Sequence, residues 1–248
     1  MYSFLLLFFF IQKTVGFKSV YESELPVQPK YIIVASRQRS SSSTLSNVIG
    51  SHPCVLSGNE IWSNSPAQDM IGAHGMVNMT NSEISENPEI FLNEVHEKAC
   101  KNLPNMCNGK CSIVIKLFDI HGVKGVVNLI NDKDFFFVVL EREIRGEYCS
   151  HLKAKLYNDW GTTPGAHKSL DFQCDETDSV FIEQHDNWFS FLRNTIRSAG
   201  RFFMDIPFSV VASCELRNLV NSIYGATGLS VSAPMELSDQ IKVLFENC

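Results

Sequence analysis

No stretch of this sequence is both long and apolar enough to cross a bilayer. The longest apolar run, residues 2–11 (YSFLLLFFFI), is about half of the ~20 residues that a spanning helix needs. A basic excess is also missing: 21 Lys and Arg stand against 27 Asp and Glu, for a formal net charge of −6. That balance argues against a nucleic-acid binder but leaves room for an anionic ligand held by a few local arginines. There is no internal repeat and no linker long enough to separate two domains, so the 248 residues read as one unit. Hydrophobic residues make up 44% and charged residues 19%, which excludes low-complexity disorder, collagen and coiled coil and provides for a sizeable core.

Cysteine, by contrast, is abundant. The short apolar run with Lys13 behind it and small residues at Thr14 and Gly16 reads as a secretory signal peptide over 1–16, leaving 17–248 as a single domain. A buried first strand is the competing reading. Secretion would place the eight cysteines in an oxidising lumen, where an even number forms disulfides. Connectivity is not deducible from sequence, although Cys107 and Cys111 flank an Asn-Gly-Lys turn suited to a local bridge. A zinc site from Cys107, Cys111 and His121 is the rival; it lacks a second close pair. Asn78-Met79-Thr80 is a glycosylation sequon, and the expected location is the secretory pathway or the exterior.

Five runs read as strands: 31–36 (YIIVAS), 54–57, 112–117 (SIVIKL), 135–140 (FFFVVL) and 208–212 (FSVVA). Most are continuously apolar, as in strands covered by helices on both faces. Helical stretches fall between them: 44–50, a segment opened by Asn87-Pro88, a stripe of Trp188, Leu192, Ile196, Ala199 and Phe203, and another from Leu216 to Tyr224. The alternation implies a three-layer α/β/α domain around a mainly parallel sheet, with its ligand beyond the carboxyl ends of the strands. Residues 161–183 are polar and read as a surface excursion.

The first strand runs into Arg37-Gln38-Arg39-Ser40-Ser41-Ser42-Ser43-Thr44 and then a helix. A strand, a small-residue loop and a helix N-terminus make an anion site, because backbone N–H groups and the positive helix end converge there. Two arginines add charge. The loop has no glycine and is not a Walker A loop, which disfavours a nucleoside kinase. Taken alone, the loop reads better as a solvated serine-rich turn.

The wider segment, 37–62 (RQRSSSSTLSNVIGSHPCVLSGNEIW), resembles the 5′-phosphosulfate-binding region of carbohydrate and bacterial-type sulfotransferases. Their pattern is close to R-x-R-S-G-[ST]-x-x-L, then H-P, then G-E-[IL]-[FW]; Arg39-Ser40, Leu45, His52-Pro53 and Glu60-Ile61-Trp62 match it. Ser41 departs from it, standing where the family usually has glycine, and adds strain if that position needs a positive φ. In the same family a strand-end arginine and a serine eight residues later bind the 3′-phosphate of the donor, and Arg142 and Ser150 have that spacing. Lys116 resembles the family's G-x-K strand, and Trp160-Gly161 and the 207–230 unit also agree, so the likeness covers roughly 31–230.

The resemblance implies a P-loop-NTPase-like sulfotransferase fold and 3′-phosphoadenosine 5′-phosphosulfate (PAPS) as sulfuryl donor, with no metal required. Arg37, Gln38, Arg39, Ser40, Ser41, Ser42, Ser43 and Thr44 would hold the phosphosulfate, and Arg142 and Ser150 the 3′-phosphate. Transfer to a hydroxyl acceptor, a glycan by preference, needs positioning and charge stabilisation more than covalent catalysis. Glu60 is the candidate base, aided by partial burial near Trp62; Arg39 and Lys116 are candidate charge stabilisers, and His52 and His151 are lesser candidates for the base. The alternative is a catalytically silent relative that keeps the fold to bind a sulfated ligand or partner.

Overall fold

The computed structural model describes residues 28–60, 73–102, 107, 111–119, 127, 129–130, 134–157, 174 and 177–230. In chain order its elements begin β1 (Tyr31–Ser36), α1 (Ser42–Ile49), β2 (Val55–Asn59), α2 (Ala73–Met76), α3 (Asn81–Glu86) and α4 (Pro88–Ala99). They continue as β3 (Ser112–Phe118), β4 (Phe135–Glu141), α5 (Ile144–Tyr157), α6 (Ser179–Ser198), β5 (Phe203–Pro207), α7 (Phe208–Val211) and α8 (Leu216–Ala226).

The strands form one sheet in the order β2-β3-β1-β4-β5, with every adjacent pair parallel. All six residues of β1 are buried. Tyr31, Ile33 and Ala35 face a core shared with Phe91 and Leu92 of α4 and with Trp188 and Leu192 of α6. Ile32 and Val34 face the other core, with Leu45 and Ile49 of α1 and Leu219 and Ile223 of α8. Burial on both faces is why this strand reads as an unbroken apolar run instead of an alternating one. The expected three-layer α/β/α architecture is the one observed.

The fifth strand is not 208–212. Helix α6 ends at Ser198, where Gly200 takes φ 64 and the Arg201 N–H donates to the Ile196 carbonyl at 3.1 Å, a left-handed stop. Phe203, expected on the helix stripe, instead opens β5 opposite Phe137. Pro207 closes the strand because it has no N–H to offer, and its fixed φ sets up the short helix α7 over the β-branched residues that look like a strand. The polar excursion is also shorter than expected, because Asp178 caps the Val180 N–H at 2.7 Å and α6 starts at Ser179, before Glu183 was to end the excursion.

The expected Cys107–Cys111 bridge is not formed. Cys107 pairs with Cys54, Cys111 with Cys100 and Cys149 with Cys174, and Cys214 is disulfide-bonded as well. The physical reason is that Cys107 belongs to the core under α1, whereas Cys111 lies beside α4, its carbonyl 3.0 Å from His96 Nε2. The zinc alternative loses both thiolates to these bridges, and its His121 lies outside the described residues, as do 1–16, Trp62 and Trp160. Among the described residues His96, Cys100 and Cys111 bring three metal-type atoms within 4.8 Å, but the two sulfurs are bonded to each other.

Candidate active site

A parallel sheet gathers all its carboxyl-terminal loops on one edge. Because β1 lies between β3 and β4, the loop that follows it is flanked by Lys116 on one side and by Arg142 on the other. The loop is tightly wound. Arg39 and Ser41 have φ of 71° and 62°, a left-handed backbone that side chains rarely adopt. Serine at position 41 therefore takes the conformation for which glycine is the usual residue. The buried Ser40 hydroxyl donates to the Arg37 carbonyl at 2.7 Å and closes the turn. Ser41 is the N-cap of α1 and its side chain makes no capping bond, so it does not occupy the first-turn N–H groups of α1.

Three residues far apart in sequence meet above this loop. Arg39 Nε donates to the Ser150 hydroxyl at 3.1 Å, and Arg142 Nη1 donates to the Arg39 carbonyl at 2.9 Å. Arg142 lies over the Phe208 ring at 4.4 Å, and its Nε is buried with no hydrogen-bond partner. The Glu143 carboxylate is 3.8 Å from that nitrogen, beyond hydrogen-bond reach. A buried guanidinium N–H left unbonded beside a second arginine, a hydroxyl and a helix N-terminus is a donor set matched to a phosphate.

On the opposite flank, Lys116 Nζ donates to Glu60 Oε1 at 2.7 Å and to the Ser43 hydroxyl at 2.9 Å. Lys116 and Glu60 are only 4% and 12% exposed. Burial pushes the Lys116 ammonium below its ordinary value, and the hydrogen bond and charge of Glu60 oppose that shift. Glu60 follows Asn59, whose φ of 55° turns the chain at the end of β2. Thus Glu60, Lys116 and Ser43 form one group, and Arg39, Arg142 and Ser150 another, joined through the loop and the start of α1. Ser42 is buried there, and Gln38 and Thr44 are half-buried.

Arg37 is turned away from this donor set. Its Nε donates to Asp119 at 2.9 Å, its Nη1 is 3.3 Å from Glu147 Oε1, and its guanidinium stacks on Phe181 at 4.2 Å. Its guanidinium is committed to the Asp119 carboxylate and to the Glu147 carboxyl. Glu147 is buried, with neither oxygen in a hydrogen bond, and burial pushes its carboxyl up to about 8 against the pull of Arg37. The sequence reading missed Asp119 and Glu147; neither sits in a motif, and only the sheet order brings them together. His52 is structural: Nδ1 accepts from the Cys54 N–H at 3.0 Å and Nε2 meets the Ser230 carbonyl at 3.1 Å. His151 is half-buried near Phe181, and burial followed by Arg37 lowers its affinity for a proton.

No family model matches the sequence, and no curated protein matches it. Among solved structures the chain is similar to a sulfotransferase from Alicyclobacillus acidocaldarius, at 13% identity and a TM-score of 0.49, over 89% of this chain and 92% of that one. It is similar to a sulfotransferase from Mycobacterium tuberculosis at 11% identity and 0.39, over 90% and 72% of the two chains. It is also similar to the sulfotransferase domain of a Synechococcus olefin synthase at 11% and 0.45, over 85% and 78%. Likeness at this level carries no functional argument.

Proposed function

We propose that this chain is a sulfotransferase that moves the sulfuryl group of PAPS to a hydroxyl acceptor, preferably on a glycan. The observation that carries the reading is the meeting of Arg39, Arg142 and Ser150 over a left-handed loop at a helix N-terminus. An ordinary surface arginine has no reason to keep a buried N–H unbonded.

In this reading Arg142 and Ser150 take the 3′-phosphate, and Arg39 bridges from them towards the phosphosulfate. The loop 38–44 and the first turn of α1 supply N–H groups and hydroxyls, with Ser40 keeping the loop in shape and Arg37 bracing it from behind through Asp119 and Glu147. The acceptor oxygen attacks sulfur, the bond from sulfur to the bridging phosphate oxygen breaks, and adenosine 3′,5′-bisphosphate (PAP) leaves. Lys116 lies between Glu60 and Ser43, where a cation offsets charge developing on the leaving oxygen. Glu60 takes the acceptor proton through a carboxylate oriented by Lys116.

The bridged cysteines suit an oxidising compartment, and no helix of the described residues is long and apolar enough to cross a membrane. With the signal-like start they support a secretory-pathway or secreted location. Asn78 is exposed just ahead of α3 and suits glycan attachment there. The test is calorimetric titration with PAP together with transfer of radiolabelled sulfate from PAPS to a panel of glycans and other hydroxyl acceptors. Binding with transfer is expected. Binding without transfer to any acceptor identifies a silent binding protein, and absence of nucleotide binding overturns the proposal.

A further inference from the structure

We infer that His185 is a positioning residue for the donor's 3′-phosphate: its ring holds the main chain at the end of β4 so that the Arg142 side chain stands in the anion site. This rests on the donor-site reading above. His185 is 1% exposed and its Nε2 is 3.2 Å from the Arg142 carbonyl oxygen. A carbonyl only accepts, so Nε2 carries the hydrogen. The ring packs on Phe189 at 4.8 Å, with Asp186 Oδ1 3.2 Å from Nδ1 and Glu141 Oε1 3.9 Å from Nε2.

The end of β4 needs such a fastener. Its pairing with β1 runs only as far as Ala35 and Val139. On its other side, Glu141 stands opposite Pro207, which has no N–H to give to the ladder. Side chains of α6 take over. Arg193 reaches Glu141 and also donates to both oxygens of Asp205 on β5, at 2.8 and 2.7 Å. One helical step from His185, on the same face, Trp188 Nε1 donates to the Ser36 carbonyl at 3.1 Å and fixes the end of β1. One face of α6 therefore sets both strand ends from which Arg39 and Arg142 depart, with His185 bonded to the very residue that carries the guanidinium.

The experiment compares calorimetric binding of PAP and of adenosine 5′-monophosphate, which lacks the 3′-phosphate, by the full chain and its variants. His185→Phe and His185→Asn are expected to weaken PAP by about tenfold, the worth of one good hydrogen bond, and to leave the monophosphate unchanged. His185→Gln, long enough to place an amide N–H near the position of Nε2, is expected to restore PAP binding to within about threefold of wild type. The Asn and Gln variants keep the test readable if the Phe variant does not fold. Unchanged PAP affinity in the Asn variant, equal loss of both ligands, or no difference between Gln and Asn overturns the inference. A wild-type chain that binds both ligands alike overturns the donor-site reading itself, and this inference with it.

Discussion

Replacing Ser41 by glycine should stabilise the protein, and the size of the effect follows from one backbone angle. Ser41 sits at φ 62°, ψ 24°, in the left-handed region, and makes no side-chain capping bond. An L-residue there costs about 1–2 kcal/mol. Glycine removes that strain but gives back about 0.5–1 kcal/mol through the greater freedom of its unfolded chain. The net gain lies between about 0 and 1.5 kcal/mol, about 0.75 kcal/mol at the middle of both ranges, which for a domain of this size raises Tm by about 1.5–3 °C. The assay is a thermal melt of the oxidised protein followed by circular dichroism. Ser40→Gly is the control: Ser40 is buried and its hydroxyl holds the Arg37 carbonyl, so that variant loses about 1 kcal/mol or more. PAP affinity should be kept in Ser41→Gly, because the loop's shape comes from its backbone. A lower Tm in Ser41→Gly, or a change equal to that of Ser40→Gly, refutes the strain argument.

Three further outcomes are expected. Arg142→Ala should weaken PAP binding by about 1.5–3 kcal/mol, the range for a charged hydrogen bond, as read by calorimetry; unchanged affinity in a folded variant removes Arg142 from the site. Glu60→Gln should lower kcat with little change in donor affinity, and full activity would move the base elsewhere. Glu147, pushed up to about 8 from an ordinary 4.5, keeps in the folded state a proton that the unfolded chain has released, so its contribution is full below pH ~4.5 and is lost as pH rises towards 8. Urea unfolding at pH 5.5 and 7.5 should show the wild type losing stability relative to Glu147→Gln, at up to about 1.4 kcal/mol per pH unit. A gap between the two proteins that stays constant with pH contradicts this.

The layers were legible from the sequence through strong local signals, and the residues of the candidate site through the family resemblance. Buried parallel strands are unbroken apolar runs, and Arg39, Arg142 and Ser150, which the resemblance singled out by their spacing, come together in the fold. What was not legible depends on contacts across the sheet. The left-handed stop at Gly200 is a weak mark against a helical stripe that continues in phase to Phe203, and FSVVA looks like a strand until Pro207 is seen to end one. The pairing of Cys107 with Cys54 follows from which core each sulfur faces, a property of the packed layers and not of the Asn-Gly-Lys turn. Arg37 matched the loop motif, yet its direction is set by Asp119 and Glu147, which reach it only once β3 and α5 are in place. His185 was invisible for the same reason, since its partner is a carbonyl 43 residues away.

The most direct test is a crystal structure of the protein with PAP bound. The expected result is the 3′-phosphate between Arg142 and Ser150, with the Arg142 Nε–H satisfied, and the 5′-phosphate over the loop at Arg39 and the first turn of α1. PAP bound at another edge of the sheet, or in this groove with Arg142 still turned onto the Arg39 carbonyl and touching no phosphate, would contradict the assignment of these residues as the donor site.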